Sequence, residues 1–231
     1  MLLASREESR VRAAVAALSG AAVPGGAWVR VSGYDLTELP GTQRRLLVGV
    51  AGCDDVLERG TVARAVRYRD PDGDVQVAAA LARVGLVERV AGLEKGERTQ
   101  LRRGGEPLST AERTRLLLAR AAYGDPPLVV LDRIDTRLGE GGREILADLW
   151  ATYPGVLAVA SEAPAARPGP VTEWDLDRGT AGHAAVTLAG AVAAGRDRDG
   201  GAGGPAPARS DGAARQPAAS AATPPAGAPG E

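Results

Sequence analysis

Phenylalanine is missing from this 231-residue chain, and aromatic residues make up only 3% of it. Lys95 is its one lysine, His183 its one histidine and Cys53 its one cysteine. A single cysteine excludes an internal disulfide and fits a reducing cytoplasm. No apolar run approaches the ~20 residues that span a bilayer, which excludes direct membrane insertion. Met1 to Arg10 has no basic segment ahead of a long apolar core, so it does not read as a secretory leader. The formal net charge of −1 argues against nucleic-acid binding through a broad basic surface. Ala, Gly, Val and Arg dominate instead. This looks like a coding bias, so single Ala and Arg positions carry little information.

What is present alternates between short apolar runs and helical patterns. Met1 to Ala4 reads as a scrap of strand. Ser5 to Leu18 reads as a helix, with Ser5 and Glu8 spaced as a capping box and Val11, Val15 and Leu18 on one face. Ser19-Gly20 ends it, and Pro24-Gly25-Gly26 makes a turn. Trp28 to Val31 reads as a strand, Asp35 to Gln43 as a polar connector, and Leu46 to Val50 as a second strand. Gly60-Thr61 opens a mostly helical middle, in which Val77, Leu81, Val84 and Val87 keep helical spacing from Val75 to Val90. Gly92 to Gly105 reads as loop. Ser109 and Glu112 are spaced as another capping box at the head of a helix. Asp125-Pro126-Pro127 breaks that helix ahead of the strand Leu128 to Leu131.

A helix at Glu144 to Trp150 and a strand at Val156 to Ala160 follow. Val171 to Leu176 and Ala184 to Leu188 complete the strand-like runs. Alternating helices and fully apolar short strands predict a largely parallel α/β sheet covered on both faces. Tyr34, Tyr68, Trp150 and Trp174 read as core or rim packing, and His183 as an ordinary surface residue. From about Ala191 the chain is rich in Ala, Gly and Pro. Such a segment cannot bury enough apolar surface to offset its ordering entropy, so residues 189–231 are expected to be disordered.

The stretch from Gly104 to Asp135 organises the rest. It holds Leu108-Ser109-Thr110-Ala111-Glu112, then a helix containing Arg120, then a strand that ends in Asp132-Arg133. This resembles the signature helix and following strand of the ATP-binding-cassette (ABC) ATPases, which carry LSGGQ, R-x-x-x-A-R and a strand ending in Asp-Glu. Asp54 to Thr61 is similar to the segment after the glutamine loop of the exporter-type members. Gly92 to Ser109 is similar to their loop before the signature, and Gly33-Tyr34-Asp35-Leu36 to their G-x-D-L turn. The resemblance spans about residues 1 to 180. It implies a P-loop-NTPase-like, mostly parallel sheet over residues 1–188, shortened at its N-terminus, with a helical subdomain at about 62–122. It also implies ATP and Mg²⁺ as cofactors and a membrane-spanning ABC subunit or a second ABC ATPase domain as partner. The location implied is the cytoplasm, at the inner face of the membrane through that partner.

The same resemblance shows what stands at each working position. A P-loop, G-x-x-x-x-G-K-S/T, wraps phosphates in backbone N–H groups, reaches them with Lys and holds Mg²⁺ with a hydroxyl. The corresponding segment, Ser5 to Arg12, has no glycine. It places Val11 at the lysine position, with Arg10 and Arg12 on either side. Cys53 stands at the glutamine-loop position, Arg133 at the general base, Gly139 at the Asp of the coupling loop and Ser161 at the switch histidine. A guanidinium cannot accept a proton at neutral pH. Asp132 keeps its family identity at the Mg²⁺ position. Thr110 and Ala111 add side chains where backbone should approach the γ-phosphate, and Glu112 adds a negative charge there.

These substitutions point to an ABC-type domain that does not itself hydrolyse ATP and acts through a partner. Two other readings stand beside it. One is a weakly active ABC ATPase driving transmembrane export, with Arg10 or Arg12 on the phosphates and Asp132 on Mg²⁺. The other is a tethering module whose tail recruits a partner. Across the emptied site, Arg133 is expected to pair with Glu162.

Overall fold

The computed structural model describes residues 1–23, 28–73, 75–161 and 173–177. Its centre is a five-stranded sheet in the order β4-β7-β8-β1-β9, made of Val48–Gly52, Leu128–Asp132, Val156–Ala160, Leu2–Ala4 and Glu173–Asp175. Every pairing in it is parallel. Parallel neighbours need crossover connections, and helices supply them here. The expected sheet is therefore present, and strand Val156 to Ala160 falls where it was read. The predicted pieces at Pro24 to Gly26 and Ala184 to Leu188, and the tail at 189–231, lie outside the described residues.

Alternation along the strands sorts side chains onto two faces. On β7, Val129 and Leu131 join the larger core with Leu157 of β8 and Leu116, Leu117 and Leu118 of α6 (Thr110–Ala122). Leu128 and Val130 face the other way, onto a core with Leu3 and Leu18. The second core includes α1 (Glu8–Leu18). A strand buried on both faces reads as a continuous apolar run, and Leu-Val-Val-Leu is one.

The structure departs from the sequence reading in five places. The connector and the start of the second strand are instead a helix, α2 (Gly41–Leu47), and β4 begins only at Val48. Arg44 of α2 donates to Gly20 O and, at 3.3 Å, to Leu39 O, contacts that a local pattern does not display. The periodic stretch Val75 to Val90 is two helices, α4 (Val77–Arg83) and α5 (Val87–Ala91). Gly85, at φ +65°, turns the chain between them in a conformation that favours glycine. Before them, β5 (Gly60–Thr61) precedes α3 (Val62–Val66) and pairs antiparallel with β6 (Gln100–Leu101), a strand inside the stretch read as loop.

The Ser5–Glu8 capping box does not form. The cap of α1 is Glu7, with no side-chain cap bond, and Ser5 Oγ lies outside the helix, where it accepts from the Glu7 N–H at 3.0 Å rather than from Glu8 and donates to Asp177. The last departure concerns Tyr34, which is exposed, whereas Tyr68 packs at the rim beneath Arg45 and Arg120, and Trp150 and Trp174 pack on the two cores. Helix α7 (Gly142–Thr152) brackets the one expected from Glu144 to Trp150.

Candidate functional site

In a parallel sheet every strand ends on the same edge, and that edge is where such sheets bind ligands. Register places Asp132 beside Gly52 on one side and Ala160 on the other. Cys53, Arg133 and Ser161, each one residue further along, are therefore gathered at one edge. β1 and β9 deliver Ser5 and Asp177 to the same edge, since Ala4 is in register with Asp175. The sheet thus brings together most of the positions singled out in the sequence.

Arg133 is the centre of the charge at this edge. Its backbone N–H donates to Ala160 O at 2.8 Å, and its φ is +53°. Its Nε donates to Asp132 Oδ1 at 3.1 Å, and its Nη2 to Asp54 Oδ2 at 3.4 Å. Nη1 lies 3.6 Å from Glu8 Oε1. The bond to Asp132, with that carboxylate's charge, pushes the Arg133 pKa up. The expected partner Glu162 lies outside the described residues.

The Cys53 N–H donates to Asp132 O at 2.9 Å, and Cys53 O accepts from Arg137 Nη1 at 3.1 Å. Burial pushes the Cys53 thiol up, so it is protonated at neutral pH. The Ser161 hydroxyl donates to Asp135.

At the segment standing for a P-loop, Ser5 donates to Asp177 Oδ1 at 2.6 Å, and the Arg6 N–H to Asp177 Oδ2 at 2.7 Å. These bonds, the Ser5 hydroxyl first, lower the Asp177 pKa. The Glu7 N–H is taken by Ser5 Oγ at 3.0 Å. Arg10 pairs with Glu7 and Asp177, and Arg12 with Glu8. Val11 packs against the smaller core.

The signature position lies at the head of α6. There the capping box is complete: the Ser109 N–H donates to Glu112 Oε2 at 2.7 Å, and the Glu112 N–H to Ser109 Oγ at 3.3 Å. Glu112 also accepts from Arg89 Nε at 2.7 Å, and Thr110 Oγ1 from Arg113 at 3.0 Å. Burial works against the Glu112 carboxylate, but the bonds from Ser109 and Arg89 outweigh it and lower its pKa. Ala111 is half-buried, and a Cβ on Gly139 would meet its methyl at 2.8 Å. Ser109→Ala is expected to lose about 1 kcal/mol of stability, the usual worth of such a cap. Urea denaturation checks this, and an unchanged midpoint would show that the cap contributes nothing.

A cavity of about 260 Å³ joins the two regions. Its lining includes Cys53, Asp54, Thr110, Arg113, Leu117 and Arg137. Asp55 and Asp177 escaped the sequence reading. Asp55 accepts from the Gly52 N–H at 3.0 Å and pairs with Arg120 at 3.3 Å. No spacing rule exposes either, because their partners are distant in sequence or lie in backbone.

No protein-family model matches the chain. Among curated proteins it is 31% identical over 111 residues to "ATP-binding cassette sub-family B member 6" of Mus musculus, covering 48% of this chain and 13% of that protein. It is 35% identical over 111 residues to a "Multidrug efflux ATP-binding/permease protein" of Mycobacterium bovis, covering 48% and 9%. It is 30% identical over 142 residues to "Type I secretion system ATP-binding protein PrsD" of Rhizobium meliloti, covering 60% and 24%. The chain therefore spans less than a quarter of the length of these relatives. A solved bacterial Atm1-family ABC exporter with ATP bound shares the fold, with a TM-score of 0.61 and 21% identity over 71% of this chain and 29% of that one. Over about half of its length the chain is thus similar to ATP-binding-cassette proteins, and it shares the fold of a solved ABC exporter.

Proposed function

We propose that this chain is an ABC-type domain that does not hydrolyse ATP and acts through a partner, either a membrane-spanning ABC subunit or a second ABC ATPase domain. One observation carries the reading: the Arg133 guanidinium lies against Asp132, where a metal-bound nucleotide and a general base would have to be. A guanidinium is neither a proton acceptor nor a metal ligand. Losing a general base alone costs about 10²–10⁴ in rate.

The residues present do not fit a magnesium triphosphate. Phosphates need free backbone N–H groups at a helix head. Here the Arg6 N–H is engaged by the Asp177 carboxylate, and Glu7 and Glu8 stand beside it. A phosphate would meet three carboxylates where it needs donors. Each charged hydrogen bond is worth about 1.5–3 kcal/mol, so losing several removes most nucleotide affinity. The cations of the alternative reading, Arg10 and Arg12, are held by Glu7, Asp177 and Glu8, which leaves a weakly active ATPase without support. At the signature position Ser109 and Glu112 satisfy each other, so the head of α6 serves as a cap.

The relatives are named for efflux and secretion, and this chain would join such an assembly as a scaffold at the inner face of the membrane. No helix among the described residues is long and apolar enough to cross a membrane, so that placement would come from the partner. Calorimetric titration of the purified chain with millimolar MgATP is expected to give no binding heat. Phosphate release from ATP that disappears in Asp132→Asn would overturn the proposal.

A further inference from the structure

We infer that Arg133 is a built-in cation that closes the strand edge to divalent metal ions and ties three elements together in their place. The inference rests on the reading of this edge as non-catalytic and specifies how it is kept so. The three nitrogens of one guanidinium address three carboxylates, one on each element. Nε meets Asp132 at the end of β7, Nη2 meets Asp54 in the loop after β4, and Nη1 meets Glu8 in the first turn of α1. These elements have no other reason to share a counter-ion, because Asp132 and Glu8 are far apart in sequence.

The backbone makes this possible. Consecutive side chains on a strand point to opposite faces, so Asp132 and Arg133 would ordinarily diverge. At φ +53° Arg133 is instead in the left-handed region, which non-glycine residues seldom adopt. That turn swings the guanidinium back beside the carboxylate of its own neighbour. Meanwhile the Arg133 N–H still bonds Ala160 O, so the connection to β8 is kept.

The charge count favours an organic cation over a metal. Three carboxylates around one position attract a cation, with Glu8 Oε1 shared between Arg133 at 3.6 Å and Arg12 at 2.6 Å. A guanidinium spreads its charge over a planar fork, and its donors suit carboxylates that stay apart. A divalent ion requires oxygens drawn together at about 2.0–2.6 Å. Among the described residues no group of acidic or other ligating side chains is drawn together in that way. Asp132 and Arg133 are mostly enclosed, with side chains 20% and 23% exposed, whereas Glu8 and Asp54 are 63% and 80% exposed. The exposed pair contributes little stability in water. Its importance is that these two exposed carboxylates can re-aim once the guanidinium is gone.

The test uses metal alone, without nucleotide, so its failure is separable from failure of the non-hydrolytic reading. Manganous ion serves as the probe because it takes oxygen ligands and its free form is counted by electron paramagnetic resonance. The full chain is expected to leave the free Mn²⁺ signal unchanged. Arg133→Ala is expected to take up one equivalent, at least about tenfold more tightly than the unaltered chain, because one positive charge is removed from beside three negative ones. Arg133→Lys, which keeps a cation there, is expected to exclude the ion still. Adding Asp132→Asn to Arg133→Ala should abolish the gained binding. Mn²⁺ uptake by the unaltered chain at a site lost in Asp132→Asn would overturn the inference, a result that stands even if the alanine variant fails to fold. So would a folded Arg133→Ala chain that binds no more ion than before.

Discussion

Gly49→Ala is expected to destabilise the domain by more than about 3 kcal/mol, beyond the usual range for a single added methyl in a packed core. Gly49 is the second residue of β4, and the backbone of α6 runs directly over it. A Cβ built there would lie 1.9 Å from Ala121 O, 2.7 Å from its carbonyl carbon and 3.1 Å from its Cα. All three atoms are backbone, so no side chain can rotate aside. Relief would require α6 to lift from the sheet, and α6 buries Leu116, Leu117, Leu118, Ala119, Ala121 and Ala122. Equilibrium urea denaturation measures the loss. A change below about 1 kcal/mol would mean that helix and strand are not in contact at this point.

Arg69→Met is expected to cost at least about 3 kcal/mol, because it leaves three carbonyls without their donor at about 1–3 kcal/mol for each that is buried. Arg69 is only 7% exposed, and no carboxylate among the described residues forms an ion pair with it. Its Nε donates to Arg120 O at 3.3 Å, and its two terminal nitrogens donate to Arg45 O and Tyr123 O. Arg120 and Tyr123 close α6, and Arg45 is in the last turn of α2. These carbonyls lie at the C-terminal ends of helices, where there is no further turn to satisfy them and the helix dipole is negative. One guanidinium thus caps two helices and ties them together. Methionine keeps the length and apolar stem but leaves the carbonyls buried without a donor.

Burial lowers the Arg69 pKa to about 10. The group is therefore charged in both folded and unfolded chains at neutral pH. Its contribution is flat with pH below about 10, and stability rises only as pH passes from there towards the higher value of the unfolded chain. Arg69→Lys is expected to recover less than half of the loss, because an ammonium cannot span three diverging carbonyls. Thermal melts of the two variants at neutral pH check the order. A methionine variant as stable as the unaltered chain would refute the capping role.

Neither residue stood out in the sequence. Gly49 sits inside an apolar run where glycine ordinarily weakens a strand, and only the closeness of α6 explains it. Arg69 is one of many arginines in a chain biased towards them. The central fold was more legible. The strands 128–132 and 156–160 are runs of four or five apolar residues bounded by proline, glycine or charge, and α6 carries its own start signal in Ser109 and Glu112. Its hydrogen bonds are the ones its spacing dictates.

The two capping boxes separate local from tertiary control. Ser5 and Glu8 have the same spacing as Ser109 and Glu112, yet only the second pair closes. Ser109 is itself the cap of α6, so its oxygen meets the Glu112 N–H. Ser5 sits two positions ahead of the Glu7 cap, so its oxygen accepts from the Glu7 N–H instead of Glu8, and its hydroxyl donates to Asp177, which follows the neighbouring strand. The candidate site follows the same division. The resemblance singled out Asp132, Arg133, Cys53 and Ser161, and the structure gathers them at one end of the sheet because each ends or directly follows a strand. It did not reveal that Arg133 turns back onto Asp132 and reaches Asp54 and Glu8.

By itself, the sequence determined the parallel α/β sheet, the signature-like helix with its cap and the types of residue at each working position. Those features depend on side-chain periodicity and on hydrogen bonds within a few residues. Only the tertiary structure decided which charges face one another: Arg133 among three carboxylates, Asp177 at the head of α1 and Arg69 beneath two helix ends. Each such pairing joins residues from separate elements, and no local spacing encodes the sheet order that brings those elements together.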